Sequence, residues 1–130
     1  MATSTPGGGG QTNLGVAPNV AGLLCYVPCC VGLVFAIVAA IVEKQSRFVR
    51  FHAFQSLLLH AAVFVVGLGF GFLSVGLAFM HVGMLSLLLL PIRLLLGLGV
   101  LALLIVLMIK ANNGEEIALP VIGDMARKWA

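Results

Sequence analysis

Charge is scarce in this sequence. Only 8% of its 130 residues are Asp, Glu, Lys or Arg, where a soluble domain carries roughly 25%. The hydrophobic share is 62% and the mean hydropathy +1.20. A surface so poor in charge cannot be solvated by water, so lipid is the expected solvent. Acids are rarest: Glu43, Glu115, Glu116 and Asp124 are all there are. Seven Lys and Arg give a net charge of +3, too little and too scattered for a nucleic-acid footprint. Cysteine is limited to Cys25, Cys29 and Cys30 within one apolar run, which implies neither a disulfide framework nor a metal site. No nucleophile–base–acid set and no metal-protease motif occurs, so an enzyme is not expected. Gly67, Gly69 and Gly71 have no basic residue close by and form no phosphate loop.

The apolar residues fall into long segments. Residues 1–18 (MATSTPGGGGQTNLGVAP) are rich in Gly, Ser and Thr, hold no Lys or Arg, and predict a disordered tail. The absence of a basic n-region argues against a secretory signal. Residues 19–110 then form the membrane domain. Residues 20–42 run without a charge, about 34 Å as a helix and enough to cross a hydrocarbon core of about 30 Å. Pro28 is expected to kink this span or end its first turns. Gly32, Ala36 and Ala40, spaced by four, offer a close-packing face. A second span is expected over residues 53–79, with Gly67 and Gly71 as a further small-residue face, and a third over 91–109, with Pro91 near its start. Residues 81–90 fit a turn, an interfacial segment or a helical extension. Arg93 lies 17 residues before Lys110, roughly 25 Å along a helix, and can snorkel to the headgroups opposite.

The polar residues concentrate in the loop 43–52 (EKQSRFVRFH) and the tail 111–130. Glu43 can pair with Arg47 if the first helix continues. Ser46 suits an N-cap, Asn112-Asn113-Gly114 a helix stop, Asp124 the cap of a short helix, and Trp129 a membrane interface. Three spans place Lys44, Arg47, Arg50, Lys110, Arg127 and Lys128 on one side and Arg93 on the other. That bias predicts an inner-membrane, multi-pass protein with a cytoplasmic loop and C-terminus and an N-terminus outside. Four spans are the alternative. They would cut residues 53–109 into pieces of about 19 residues with almost no turns.

His52, Ser56 and His60 recur at i, i+4 and i+8, with Gln55 alongside. This predicts a polar stripe descending from the interface into the membrane. Such residues usually face a bundle interior, as interhelical hydrogen bonds or as a solute or proton path. Two histidines are too few to define a metal site, and no cofactor is expected. Glu115, Glu116 and Asp124 share a side with Arg47, Arg50 and His52, so the tail is expected to fold back on the loop. The candidate working face is therefore Arg47, Arg50, His52, Gln55, Ser56 and Asp124.

Three stretches carry a family resemblance: NVAGLLCYVP (19–28), EKQSRFVRFHAFQS (43–56) and MIKANNGEEIALPVIGDMARKW (108–129). With them the chain resembles the Tic-twenty-like small bacterial and archaeal membrane proteins. That domain family of unknown function is distantly similar to the twenty-kilodalton subunit of the chloroplast inner-envelope translocon. The resemblance implies an α-helical membrane bundle. It singles out Arg47, Phe48, Arg50, Phe51, His52, Gln55 and Ser56, with Pro120, Gly123 and Asp124, as motif residues. The plastid relative is described with four spans where this sequence reads as three.

The fold class expected is therefore all-α, an integral membrane bundle of three transmembrane helices. The function expected is that of a non-enzymatic membrane protein acting through a membrane-protein partner or self-association, translocation-associated by analogy. The alternative is a homo-oligomeric channel or small-solute carrier lined by His52, Ser56 and His60.

Overall fold

The computed structural model describes residues 12–28 and 30–130. The expected disordered tail falls largely outside them, as does Cys29. Every regular element among the described residues is a helix: α1 (Pro18–Leu24), α2 (Cys30–Val42), α3 (Arg47–Phe79), α4 (Gly83–Leu87), α5 (Leu89–Asn112) and α6 (Ile122–Trp129). The helices α3 and α5 are long and apolar enough to cross a membrane, and α2 is a shorter apolar helix. This is the all-helical membrane bundle that the composition demanded.

Residues 20–42 do not form one helix. Proline has no N–H to offer the carbonyl four residues back, and α1 stops at Leu24, four residues before Pro28. Val27, which precedes the proline, is disfavoured in the helical region. The chain then reverses. A Cβ on Gly32 would collide with the Val27 carbonyl oxygen, so α2 lies against the turn it has just left. The two ends of this hairpin meet. Asn13 N donates to Glu43 Oε2 at 2.8 Å, and Asn13 Nδ2 to the Val42 carbonyl at 3.2 Å. Asn19 Nδ2 also reaches the Asn112 carbonyl at the far end of α5 (3.1 Å). The start of α1, the end of α2, the start of α3 and the end of α5 thus share one end of the molecule, here called the head.

Two apolar clusters fill the head. Ala21 and Cys25 of α1 and Ala36 and Ala39 of α2 pack with Phe48, Val49 and Ala53 of α3. Tyr26 packs with Leu59 of α3 and with Leu104, Leu107 and Ala111 of α5. The small-residue face of α2 is buried as its spacing suggested, with Ala39 in the place expected of Ala40. Beyond residue 60, α3 is exposed along most of its length, and so is α5 before Val100. The bundle is tight at the head and bare beyond it.

Helix ends follow local chemistry. Ser46 caps α3, its hydroxyl accepting from Val49 N at 3.3 Å. Glu43 is buried and makes no pair with Arg47. Its carboxylate accepts from the backbone N–H groups of Asn13, Gln45 and Ser46 at 2.8–2.9 Å. The α5 stop at Asn112–Gly114 is a Schellman motif: Gly114 N donates to the Ala111 carbonyl and Glu115 N to Lys110, with Gly114 at φ +78°. The open segment 81–90 resolves into a turn at His81 (φ +58°) and the short α4. The break at Leu88 falls where Pro91 denies the Leu87 carbonyl its partner. Asp124 makes no cap. The residue before α6 is Val121, at φ +64° and ψ −54°, a γ-turn closed by Ile122 N to the Pro120 carbonyl (2.7 Å).

Val121 is β-branched, held in a strained region and 71% exposed, so its side chain contributes little packing. Val121→Gly should stabilise the protein by about 1 kcal/mol. The check is a raised melting temperature in detergent. An unchanged or lowered one would mean that the turn is not held as described.

Candidate functional site

The head is organised around one side chain. Gln55, on the third turn of α3, is fully buried. Its Oε1 accepts from Leu119 N at 3.0 Å and its Nε2 donates to the Ile117 carbonyl at 2.9 Å. The amide thus treats residues 117–119 as a strand partner would, satisfying one donor and one acceptor of an otherwise irregular segment. The same Nε2 donates to Tyr26 Oη at 3.0 Å. The tyrosine oxygen is therefore an acceptor, and its own proton is directed to His52 Nδ1, 3.0 Å away. This pattern leaves the imidazole proton on Nε2. Phe48, Phe51 and Tyr26 meet the His52 ring edge-to-face at 4.4–5.5 Å. His52 Nε2 is buried without a hydrogen-bond partner.

Ser56 and His60 belong to a separate set. Ser56 Oγ donates to the Cys25 carbonyl at the end of α1, one of the groups a helix terminus leaves orphaned. His60 Nδ1 donates to the Ser56 carbonyl one turn back, at 2.8 Å. The stripe His52–Ser56–His60 is therefore not one chain of hydrogen bonds. Its upper member turns sideways to Tyr26 and Gln55, and its lower members turn to backbone carbonyls and to each other, with Ser56 Oγ 3.3 Å from His60 Nδ1.

The tail does fold back on the loop, but not through its carboxylates. Arg50 Nη2 donates to the Trp129 carbonyl (3.1 Å), and its guanidinium lies 5.8 Å from the Phe54 ring centre. Phe54 meets Trp129 edge-to-face at 6.0 Å. Arg127 lies 5.7 Å over Phe51. Among the described residues the ion pair is Lys110–Glu115 at 2.9 Å. Of the expected face, His52, Gln55 and Ser56 are buried, Arg50 stands at the edge, and Arg47 and Asp124 are exposed and apart from the network. The sequence reading missed Tyr26 and the capping role of Glu43. The signals were there: one tyrosine in an uncharged stretch, and a carboxylate three residues ahead of an N-cap serine. The two described cysteines are unlike each other. Cys25 is buried with Sγ on the Ala21 carbonyl, and Cys30 is exposed.

A helical membrane bundle whose polar side chains bind its own chain ends, with no three His, Cys, Asp or Glu gathered among the described residues, is the class defined by this fold and site. Residues 11–126 match the model of the magnetosome magnetite crystal formation protein family, and the chain belongs to that family. A UPF0132 membrane protein of Methanocaldococcus jannaschii is 39% identical over 121 residues, covering 93% of this chain and 96% of that protein. A second UPF0132 membrane protein of that organism is 33% identical over 117 residues (89% and 72%). One of Archaeoglobus fulgidus is 36% identical over 110 residues (85% and 92%). No solved structure matches the chain.

Gln55→Leu should strand Leu119 N and the Ile117 carbonyl and take one of two partners from Tyr26 Oη, at a cost of about 3 kcal/mol. Trypsin cleavage at Arg127 and Lys128 should accelerate with it. Tyr26→Phe should cost about 1–2 kcal/mol and leave the tail protected, since Gln55 keeps both its bonds to residues 117–119. Equal tail protection in Gln55→Leu and the parent protein would show that the amide does not hold the tail.

Proposed function

We propose that this chain is a non-enzymatic assembly protein of the inner membrane: α3 and α5 cross the bilayer, and the helical head on the cytoplasmic side docks a protein partner or a second copy. The observation that carries this reading is the hydrogen-bond set of the head. Gln55, Tyr26 and His52 engage one another and residues 117–119, and Ser56 and His60 engage backbone carbonyls. Bonds that hold the fold in this way favour a structural role for these groups over a solute or proton path. What the head presents outward is charged and aromatic: Lys44, Arg47, Arg127, Lys128 and Trp129 are exposed, and so are Glu115, Glu116 and Asp124. Such a mixed surface favours docking to a partner of complementary charge pattern.

The head geometry also favours a topology different from the expected one. With Asn13 bonded to Glu43 and Val42, α1 and α2 are read as a hairpin that enters and leaves the membrane on one side. The N-terminal segment, the 43–46 loop and the C-terminus then share the cytoplasmic side, and Met84 faces the other. The charge bias is unchanged, six Lys and Arg against Arg93. The family's description speaks of magnetite crystal formation. The relatives are named membrane proteins, and from these names together we take only that such proteins work at a membrane. A translocation-associated role is supported by the sequence resemblance alone.

Cysteine labelling of intact cells at positions 13, 45, 84 and 130, on a background lacking the native cysteines, should protect 13, 45 and 130 alike and expose 84. Labelling of 13 together with 84 would restore the three-span arrangement. Crosslinking in membranes, followed by purification in mild detergent, should trap one defined partner or a dimer in the parent protein. The triple variant Arg47→Glu, Arg127→Glu, Lys128→Glu should lose it, about tenfold in yield. A chain that crosslinks to nothing would end the assembly reading.

A further inference from the structure

The far half of the molecule is where the hairpin stops short. At its tip, Cys30 and Leu33 of α2 meet His60 of α3 and Leu104 of α5 around a space of about 300 Å³. Val63 and Val100 line that space and also a second, of about 360 Å³, that continues away from the head between α3 and α5. Gly67 and Phe70 form one wall of the second space, and Gly97 and Arg93 the other. Together they make one apolar trough, closed below by the hairpin and open above at Arg93. From Leu104 to Arg93 is eleven residues of α5, about 16 Å, close to the roughly 15 Å of one leaflet's hydrocarbon.

We propose that this trough holds one phospholipid of the leaflet opposite the head, with an acyl chain between α3 and α5 and its phosphate on Arg93. The inference rests on the two-span placement given above. Three observations select this occupant. Arg93 is exposed and basic, and no acid lies anywhere between Glu43 and Glu115. The carboxylates of the chain are therefore confined to the head or its approaches. A second copy packed side by side in the same orientation would bring Arg93 toward another Arg93 with no carboxylate to offset the repulsion. A lipid phosphate supplies that charge, and guanidinium–phosphate pairing suits it. The trough walls are apolar and shaped by glycine. A Cβ at Gly67 or at Gly97 meets nothing within 4 Å, so both positions are open on the side that an acyl chain would fill. In the cytoplasmic leaflet the same space between the spans is taken by protein, the hairpin itself. The lipid completes in one leaflet what α1 and α2 complete in the other.

The test is native mass spectrometry of the full chain released from nanodiscs of palmitoyl-oleoyl phosphatidylglycerol and phosphatidylethanolamine. One phospholipid per chain should survive activation that strips the remaining lipid. Gly97→Leu, which fills the trough from an open position, and Arg93→Gln should each reduce that retained species about tenfold, while Arg93→Lys keeps most of it. Circular dichroism and trypsin protection of the tail confirm that each variant is folded. A parent protein that retains no lipid would overturn the proposal. So would retention unaffected by either variant, or a retained mass equal to a second chain. Failure of the two-span placement is read separately, from labelling at position 13. A tail-protected, lipid-free protein with position 13 on the head side would sink the lipid and spare the topology.

Discussion

A membrane chain cannot leave backbone donors and acceptors bare where lipid is near. Among the described residues, the irregular segments of the head include a first at residues 25–28 after α1 and a second at residues 113–121 between α5 and α6. Each needs partners from elsewhere. The Gln55 amide answers for the second by offering a donor and an acceptor to residues 117–119, and Ser56 answers for the first through the Cys25 carbonyl. Glu43 does the same for the turn ahead of α3. The polar side chains of the head are placed where regular helix ends, and the packing of Tyr26, Phe48 and Phe51 around His52 follows from that placement.

Much of this was legible in the sequence, and the reasons can be named. Lipid as solvent followed from the dearth of charge. The long helices expected over 53–79 and 91–109 follow from apolar runs, which α3 and α5 extend to 47–79 and 89–112, and the Asn112–Gly114 stop is local chemistry. The polar positions at 52, 55, 56 and 60 were visible by their spacing alone. Their partners were not. Helical periodicity reports which residues share a face, and Tyr26 and residues 117–119 come to Gln55 across separations of 29, 62 and 64 residues. Nothing local encodes those meetings.

The hairpin shows the same limit from the other side. Length and hydropathy assigned residues 20–42 to one crossing, with Pro28 kinking it or ending its first turns, and α1 does end at Leu24. Proline alone decides between a kink and a reversal only with help from what surrounds it. Here Gly32 lets α2 lie on the Val27 backbone, and Asn13 and Glu43 join the two ends. The tail differs in a similar way. Its acids were expected to find the loop arginines, and the carbonyl of Trp129 found Arg50 instead, a contact open to any residue type at that position.

The Gln55 clasp also carries a consequence for the order in which the protein can be made. Its three partners lie at residue 26 and at residues 117 and 119, almost the full length of the described chain apart. The hairpin leaves the ribosome first, yet the segment that locks it against α3 leaves among the last. Until Ile117 and Leu119 arrive, Gln55 and Tyr26 have only each other, and α1 has no α5 terminus to rest on. The head is therefore a late event in biosynthesis, completed after both long helices are inserted. Truncation near the C-terminus is felt first at the N-terminal hairpin.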